Sequence, residues 1–87
     1  MVTVMLNSGK MLDAHWIDLI RSNTGGVMLE TPAWDSFAAL AQLLEGATGL
    51  SWVDDAGAEH TAEYAAIRHM TRDYGKVQVI LDKAVTA

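Results

Sequence analysis

Cysteine is absent from this chain of 87 residues, so neither a disulfide framework nor a thiolate metal site is available. That absence fits a reducing compartment. The opening MVTVMLNSGK has no charged n-region and no long apolar core, so a signal peptide is not expected. No hydrophobic run approaches the roughly 20 residues that span a membrane, so the expectation is a non-membrane protein of the cytoplasm. Basic residues are scarce and scattered: Lys10, Arg21, Arg68, Arg72, Lys76 and Lys83, against eleven acids, for a net charge of −5. Binding to nucleic acid rests largely on neutralising phosphates with Lys and Arg, so this balance argues against direct nucleic-acid binding. Internal repeats, low-complexity tracts and linkers are also lacking, which leaves residues 1–87 as a single domain. A chain of this size has no room for a second core, and its net stability falls at about 4–13 kcal/mol.

What is present is apolar. Hydrophobic residues make up 51% of the chain, with three Trp and five Met, so either the core is unusually full or some apolar surface meets a partner. Val2-Thr3-Val4-Met5-Leu6 alternates as a strand does, and Asn7-Ser8-Gly9-Lys10 turns it back. Met11 to Ile20 reads as the returning strand, with its alternation slipping between Trp16 and Ile17 as at a β-bulge. Asn23-Thr24-Gly25-Gly26 is a turn, and Val27-Met28-Leu29-Glu30 is a short strand after it.

Thr31 to Gly46 predicts a helix, with Thr31 as N-cap, Pro32 in the first turn, Asp35 near the positive end and Gly46 as a left-handed C-terminal stop. Trp34, Phe37, Leu40, Ala41 and Leu44 recur at spacings of three and four and define its apolar face. Leu50 to Asp54 is a strand, Asp54-Asp55-Ala56-Gly57 a turn, and Val77 to Leu81 a strand. Ala58 to Tyr74 reads two ways. It is alanine-rich, with Ala62, Ala66, Met70 and Tyr74 four apart, as in a second helix over 58–74. As a strand it places Tyr64, Ala66, Arg68 and Met70 on one side, Ala65, Ile67 and His69 on the other, and Asp73-Tyr74-Gly75-Lys76 becomes a hairpin turn.

Catalytic signatures are few. His15, His60 and His69 have no i, i+4 metal-ligand spacing, and a site from His60, Glu63 and His69 is a remote alternative to surface histidines. Asp54, Asp55 and Glu59 lack the alternating ligands of a calcium loop. Gly25-Gly26 leads into a strand and is no phosphate cradle, and no GxSxG surrounds Ser8, Ser22, Ser36 or Ser51. Trp16, Trp34, Trp52, Phe37 and Tyr64 read as filling between helix and sheet rather than a ligand pocket. The expectation is a non-enzyme with no metal and no cofactor.

The succession MVTVMLNSGKML, a turn-rich middle, SFAALAQLLEG, LSWVDDAG, AEYAAIRHMTR and KVQVILDK resembles small proteins encoded in phage and prophage genomes. That resemblance is one of layout, and it favours the strand over 58–72. It implies a virion-associated or assembly protein, found in the host cytoplasm or the virion; the alternative is an anti-CRISPR-like inhibitor of a host defence nuclease. An inhibitor that mimics DNA would cluster Asp54, Asp55, Glu59 and Glu63. The order hairpin, helix, strands also resembles the ubiquitin-like β-grasp, though the chain ends Lys83-Ala84-Val85-Thr86-Ala87 without a glycine pair.

The fold class expected is α+β: a mainly antiparallel sheet of five to six strands with helix 31–46 packed on one face. The predicted core is Val2, Val4, Leu6, Trp16, Leu29, Phe37, Leu40, Leu44, Trp52, Val77, Val79 and Leu81. Met5, Met28, Val53, Ile67 and Ile80 are assigned to the sheet's other face, too apolar for water alone, as an interface for a protein partner or a second copy.

Overall fold

The structure, a computed structural model, describes residues 1–20, 25–32 and 36–83. Trp34, Asp35 and the Asn23-Thr24 half of the expected turn lie outside the described residues. Seven strands and one helix follow in order: β1 (Val2–Leu6), β2 (Met11–Ala14), β3 (Trp16–Leu19), β4 (Val27–Pro32), α1 (Phe37–Glu45), β5 (Gly49–Val53), β6 (Glu59–Asp73) and β7 (Lys76–Lys83). The class is α+β and the sheet antiparallel at every pairing, with seven strands among the described residues instead of five to six. A β-grasp, whose sheet is mixed, is not what the chain forms.

Strand order is β2-β1-β5-β6-β7-β4-β3, and the two outermost strands are neighbours in sequence, separated by His15 alone. They are two halves of one bent strand. The first half pairs with β1 and the second with β4, so the sheet curls round and closes on itself. At the junction the His15 amide donates to the Glu30 carbonyl at 2.7 Å. A closed sheet has an inside and an outside, not a covered and a bare face.

The break at His15 also changes which residues point inward. Leu12 and Ala14 are buried before it and Ile17 packs on the core after it, in register with Leu29. Trp16 pairs with Glu30 on the outer side and stays half-buried, so it is not the core residue it was expected to be. The slip falls one residue earlier than the alternation indicated.

β6 settles the fork at 58–74 as a strand. Fifteen residues fully extended would run about 50 Å, longer than the molecule's largest dimension of 34 Å, so the strand has to bend. It does so at register shifts between Tyr64 and Ala66 and between Ile67 and His69. Each shift moves the inward side by one position, so Tyr64, Ile67 and Met70 all face the core. Their three-residue spacing is what imitates a helix. Pairing with β5 and β7 along both halves overrides the local preference of the alanines for helix. Tyr74 (φ +48°) and Gly75 (φ +75°) form the two-residue hairpin turn into β7.

The helix is shorter than expected and starts later. Thr31 and Pro32 are the last residues of β4, in register with Val77 and Lys76, and Thr31 is fully buried there. A β-branched threonine paired in a ladder is better placed in the sheet than at a cap. The N-cap is Ser36, whose hydroxyl accepts from the Ala39 amide at 3.1 Å. Gly46 ends the helix in the right-handed region (φ −74°), not the left-handed one. Leu40 and Leu44 are buried, whereas Phe37 is exposed with the Arg72 guanidinium 5.1 Å from its ring centroid. Ser36→Ala is expected to cost about 1 kcal/mol in urea unfolding, and the Ser36 cap is refuted if that substitution is silent.

The core consists of Val4, Leu6, Leu12, Ala14, Val27, Leu29, Leu40, Leu44, Ala47, Leu50, Trp52, Tyr64, Val77, Val79 and Leu81, with Val2 packed at its margin. No side-chain nitrogen or oxygen buried among the described residues lacks a hydrogen-bond partner. No helix among them is long and apolar enough to cross a membrane.

Candidate interaction groove

The chain fastens β1 to β5 at one end only. Asn7 does the fastening: its amide group donates to the Thr48 hydroxyl at 2.8 Å and accepts from the Thr48 amide at 2.9 Å. Its backbone amide donates to the Gly49 carbonyl at 3.0 Å. Next to this clasp, Leu6 pairs with Leu50 and Met5 with Ser51, and there the ladder stops. Both strands run on, β1 back to Val2 and β5 forward to Val53. A groove of about 490 Å³ opens where they part, lined by Met1, Val2, Thr3, Met5, Ser51, Trp52, Val53, Asp55, Glu59 and Thr61.

The groove's chemistry follows from strand alternation. Val4 and Leu6 point inward, so Met5 between them points out and is 43% exposed. Trp52 points inward and stacks on His60, with ring centroids 5.2 Å apart, so Val53 points out and is 51% exposed. Met11, in register with Met5, extends the apolar surface onto β2. Asp55 and Glu59 supply the acidic rim.

Of the five residues assigned to an interface from sequence, the structure brings together only two pairs. Met5 and Val53 share this groove. Met28 and Ile80 are cross-strand partners on the β4–β7 half of the sheet, exposed and half-buried. Ile67 is in register with Leu81 and packs against the core, partly buried. Sequence reasoning missed Met1 and Met11, although Met11 is legible as the outward neighbour of Leu12.

The four acids expected to cluster divide as well. Asp54 is occupied as a turn residue: its carboxylate accepts from the Ala56 and Ala58 amides and from His60 Nε2 at 2.8 Å. Those hydrogen bonds, His60's first, hold its carboxyl below the usual carboxylate range. Glu59 and Glu63 are exposed on the alternating part of β6, on the side away from Tyr64. A further acid, Glu30, is nearly buried on the outer side of β4, between His15 (3.1 Å) and Gln78 (3.3 Å). The Gln78 hydrogen bond, then those of His15 and the charge of Lys76, lower its pKa against desolvation.

Both folded-state values lie below those of the unfolded chain, so the stability these groups contribute is complete above about pH 5 and disappears as pH falls through the folded pKa. The urea midpoint is therefore expected to fall on acidification below about pH 5, and Asp54→Asn to reduce that fall. An unchanged acid limb in the variant would show that the Asp54–His60 pair is not formed.

Histidines do not assemble a metal site. His60 is taken up by Asp54 and Trp52, and His69 sits beyond both bulges, opposite Ile80. Among the described residues no group of three His, Asp or Glu side chains is placed to hold an ion. No family model, curated protein or solved structure matches the chain.

Proposed function

We propose that the chain is a non-enzymatic interaction protein of phage or prophage origin, associated with the virion or its assembly, and that it binds a protein partner through the groove between β1 and β5. One observation supports this above others. Met1, Met5, Met11 and Val53 stay exposed around a parting of the sheet although the interior already holds a complete core. Methionines suit such a surface because their flexible thioethers adapt to a partner's shape. The phage origin rests on the layout resemblance alone.

A second reading has its own support. Asp55, Glu59 and Glu63 are exposed on or beside the same part of the sheet, as an inhibitor of a nucleic-acid-binding enzyme would need.

Affinity capture from a lysate of the source cells separates the two, with folding of each variant checked by circular dichroism. Met5→Asp with Val53→Asp is expected to release the proteins that the native chain retains. Capture that is unchanged in this variant would overturn the groove reading. Loss of capture only on Asp55→Asn, Glu59→Gln and Glu63→Gln together would put the inhibitor reading in its place. Light scattering on the pure protein distinguishes a second copy from a different partner.

A further inference from the structure

From the parting of β1 and β5 we infer that the groove takes an extended polypeptide segment, added as a strand beside β1 or β5 and carrying alternate apolar and Lys/Arg side chains. The inference rests on the interaction reading above and specifies the partner's chemistry.

Three observations converge. First, the ladder between β1 and β5 is the shortest among the described residues. β1 pairs four residues with β2 and β5 pairs five with β6, but β1 and β5 pair only two with each other. Val2 to Val4 on one side and Trp52 to Val53 on the other are strand segments with no ladder partner across the gap. A strand edge of this kind is a template for another chain's backbone. Second, the clasp formed by Asn7 with Thr48 and Gly49 keeps the two strands from separating further, so the opening is held and does not have to be created by the ligand. Third, the side chains around the gap have one chemical character. Met1, Met5 and Val53 give apolar surface on the outer side of the gap, and Asp55 and Glu59 give negative charge beside it.

Charge selects among possible occupants. Asp13, on β2 beside Thr3, adds a further exposed acid to this half of the sheet. Arg68, Arg72, Lys76 and Lys83 all belong to the second half of β6 or to the strand that pairs with it. Lys10, in the β1–β2 turn, and the Met1 amino group are the positive charges described on this half. Lysines alternating with apolar residues would place cations on the outer face near Asp55 and Glu59, where an acidic segment would be repelled.

The test uses the intact protein and three capped synthetic peptides: alternating lysine and valine, the same with glutamate for lysine, and the lysine peptide N-methylated along one edge. Binding is followed by amide NMR and hydrogen exchange. The lysine peptide is expected to bind about tenfold tighter than the glutamate peptide, the equivalent of two or three rim ion pairs. Exchange should slow in the Val2–Val4 and Trp52–Val53 segments when it binds. N-methylation is expected to weaken binding by about tenfold or more, since two or so strand hydrogen bonds are lost. Asp55→Asn with Glu59→Gln should bring the two unmethylated peptides to within about threefold of each other. Equal binding by the methylated and unmethylated peptides, or shifts confined to the Met28–Ile80 surface, would overturn strand addition. If Met5→Asp with Val53→Asp still abolishes capture in that event, the interaction reading survives without it.

Discussion

Gly26→Ala is expected to cost about 2–6 kcal/mol, enough to remove most of the net stability of a domain this small. Gly26 leads directly into β4 at φ +112°, a conformation essentially confined to glycine. A Cβ built there would lie 2.1 Å from the Leu81 carbonyl oxygen. Leu81 is the residue to which Val27 pairs, so the clash falls on the first rung of the β4–β7 ladder. Backbone faces backbone, and no side chain can swing away to relieve it. The carbonyl of Gly26 also accepts from the Ile20 amide at 2.9 Å, which ties the end of β3 to the same point. Gly9 and Gly57 provide the comparison. Both have positive φ, yet nothing lies within 4 Å of an added Cβ. Alanine at either is expected to cost about 1–2 kcal/mol, the conformational term alone. Urea unfolding of the three variants decides the matter, and equal midpoints would refute the close approach of β4 to β7 at Gly26.

Leu44→Ala is expected to cost about 2–5 kcal/mol, the range for deleting a fully buried leucine from a core that closes only partly over the gap. Leu44 belongs to the helix face that completes the interior, and its carbonyl accepts the buried Tyr64 hydroxyl at 2.5 Å. That bond joins α1 to the bent strand β6, and burial raises the phenol's pKa. Phe37→Ala, at the first residue of the same helix, is expected to cost only about 1 kcal/mol, chiefly the contact with the Arg72 cation. Spacing alone puts Phe37 and Leu44 on one stripe, so their contrast measures how the helix is rolled against the sheet. If Phe37→Ala proved as damaging as Leu44→Ala, the helix would have to turn its first residue inward.

Several elements are legible in the sequence because their causes are local. Alternation over Val2–Leu6 and Val77–Leu81 needs only neighbouring residues, and so do the turns at Gly9, Gly57 and Tyr74-Gly75. Leu40 and Leu44 identify the helix interior from their spacing. The helix start is not legible in the same way, because Thr31-Pro32 satisfies cap statistics as well as Ser36 does. Only the pairing of β4 with β7 claims Thr31 for the sheet.

Sequence by itself determined the α+β class, the antiparallel hairpins and most of the core, since each depends on hydrophobic period and turn residues within a few positions. Tertiary structure alone decided inside from outside beyond each bend. The break at His15 and the two shifts in β6 each reverse the parity of everything that follows. Ile67 thus turns toward the core, Trp16 turns outward, and the predicted interface divides into two surfaces. Closure of the sheet, and the incomplete ladder between β1 and β5 that creates the groove, depend on partners more than 40 residues apart, such as Met5 with Ser51 and Asn7 with Thr48. Local periodicity carries no signal for contacts at that distance.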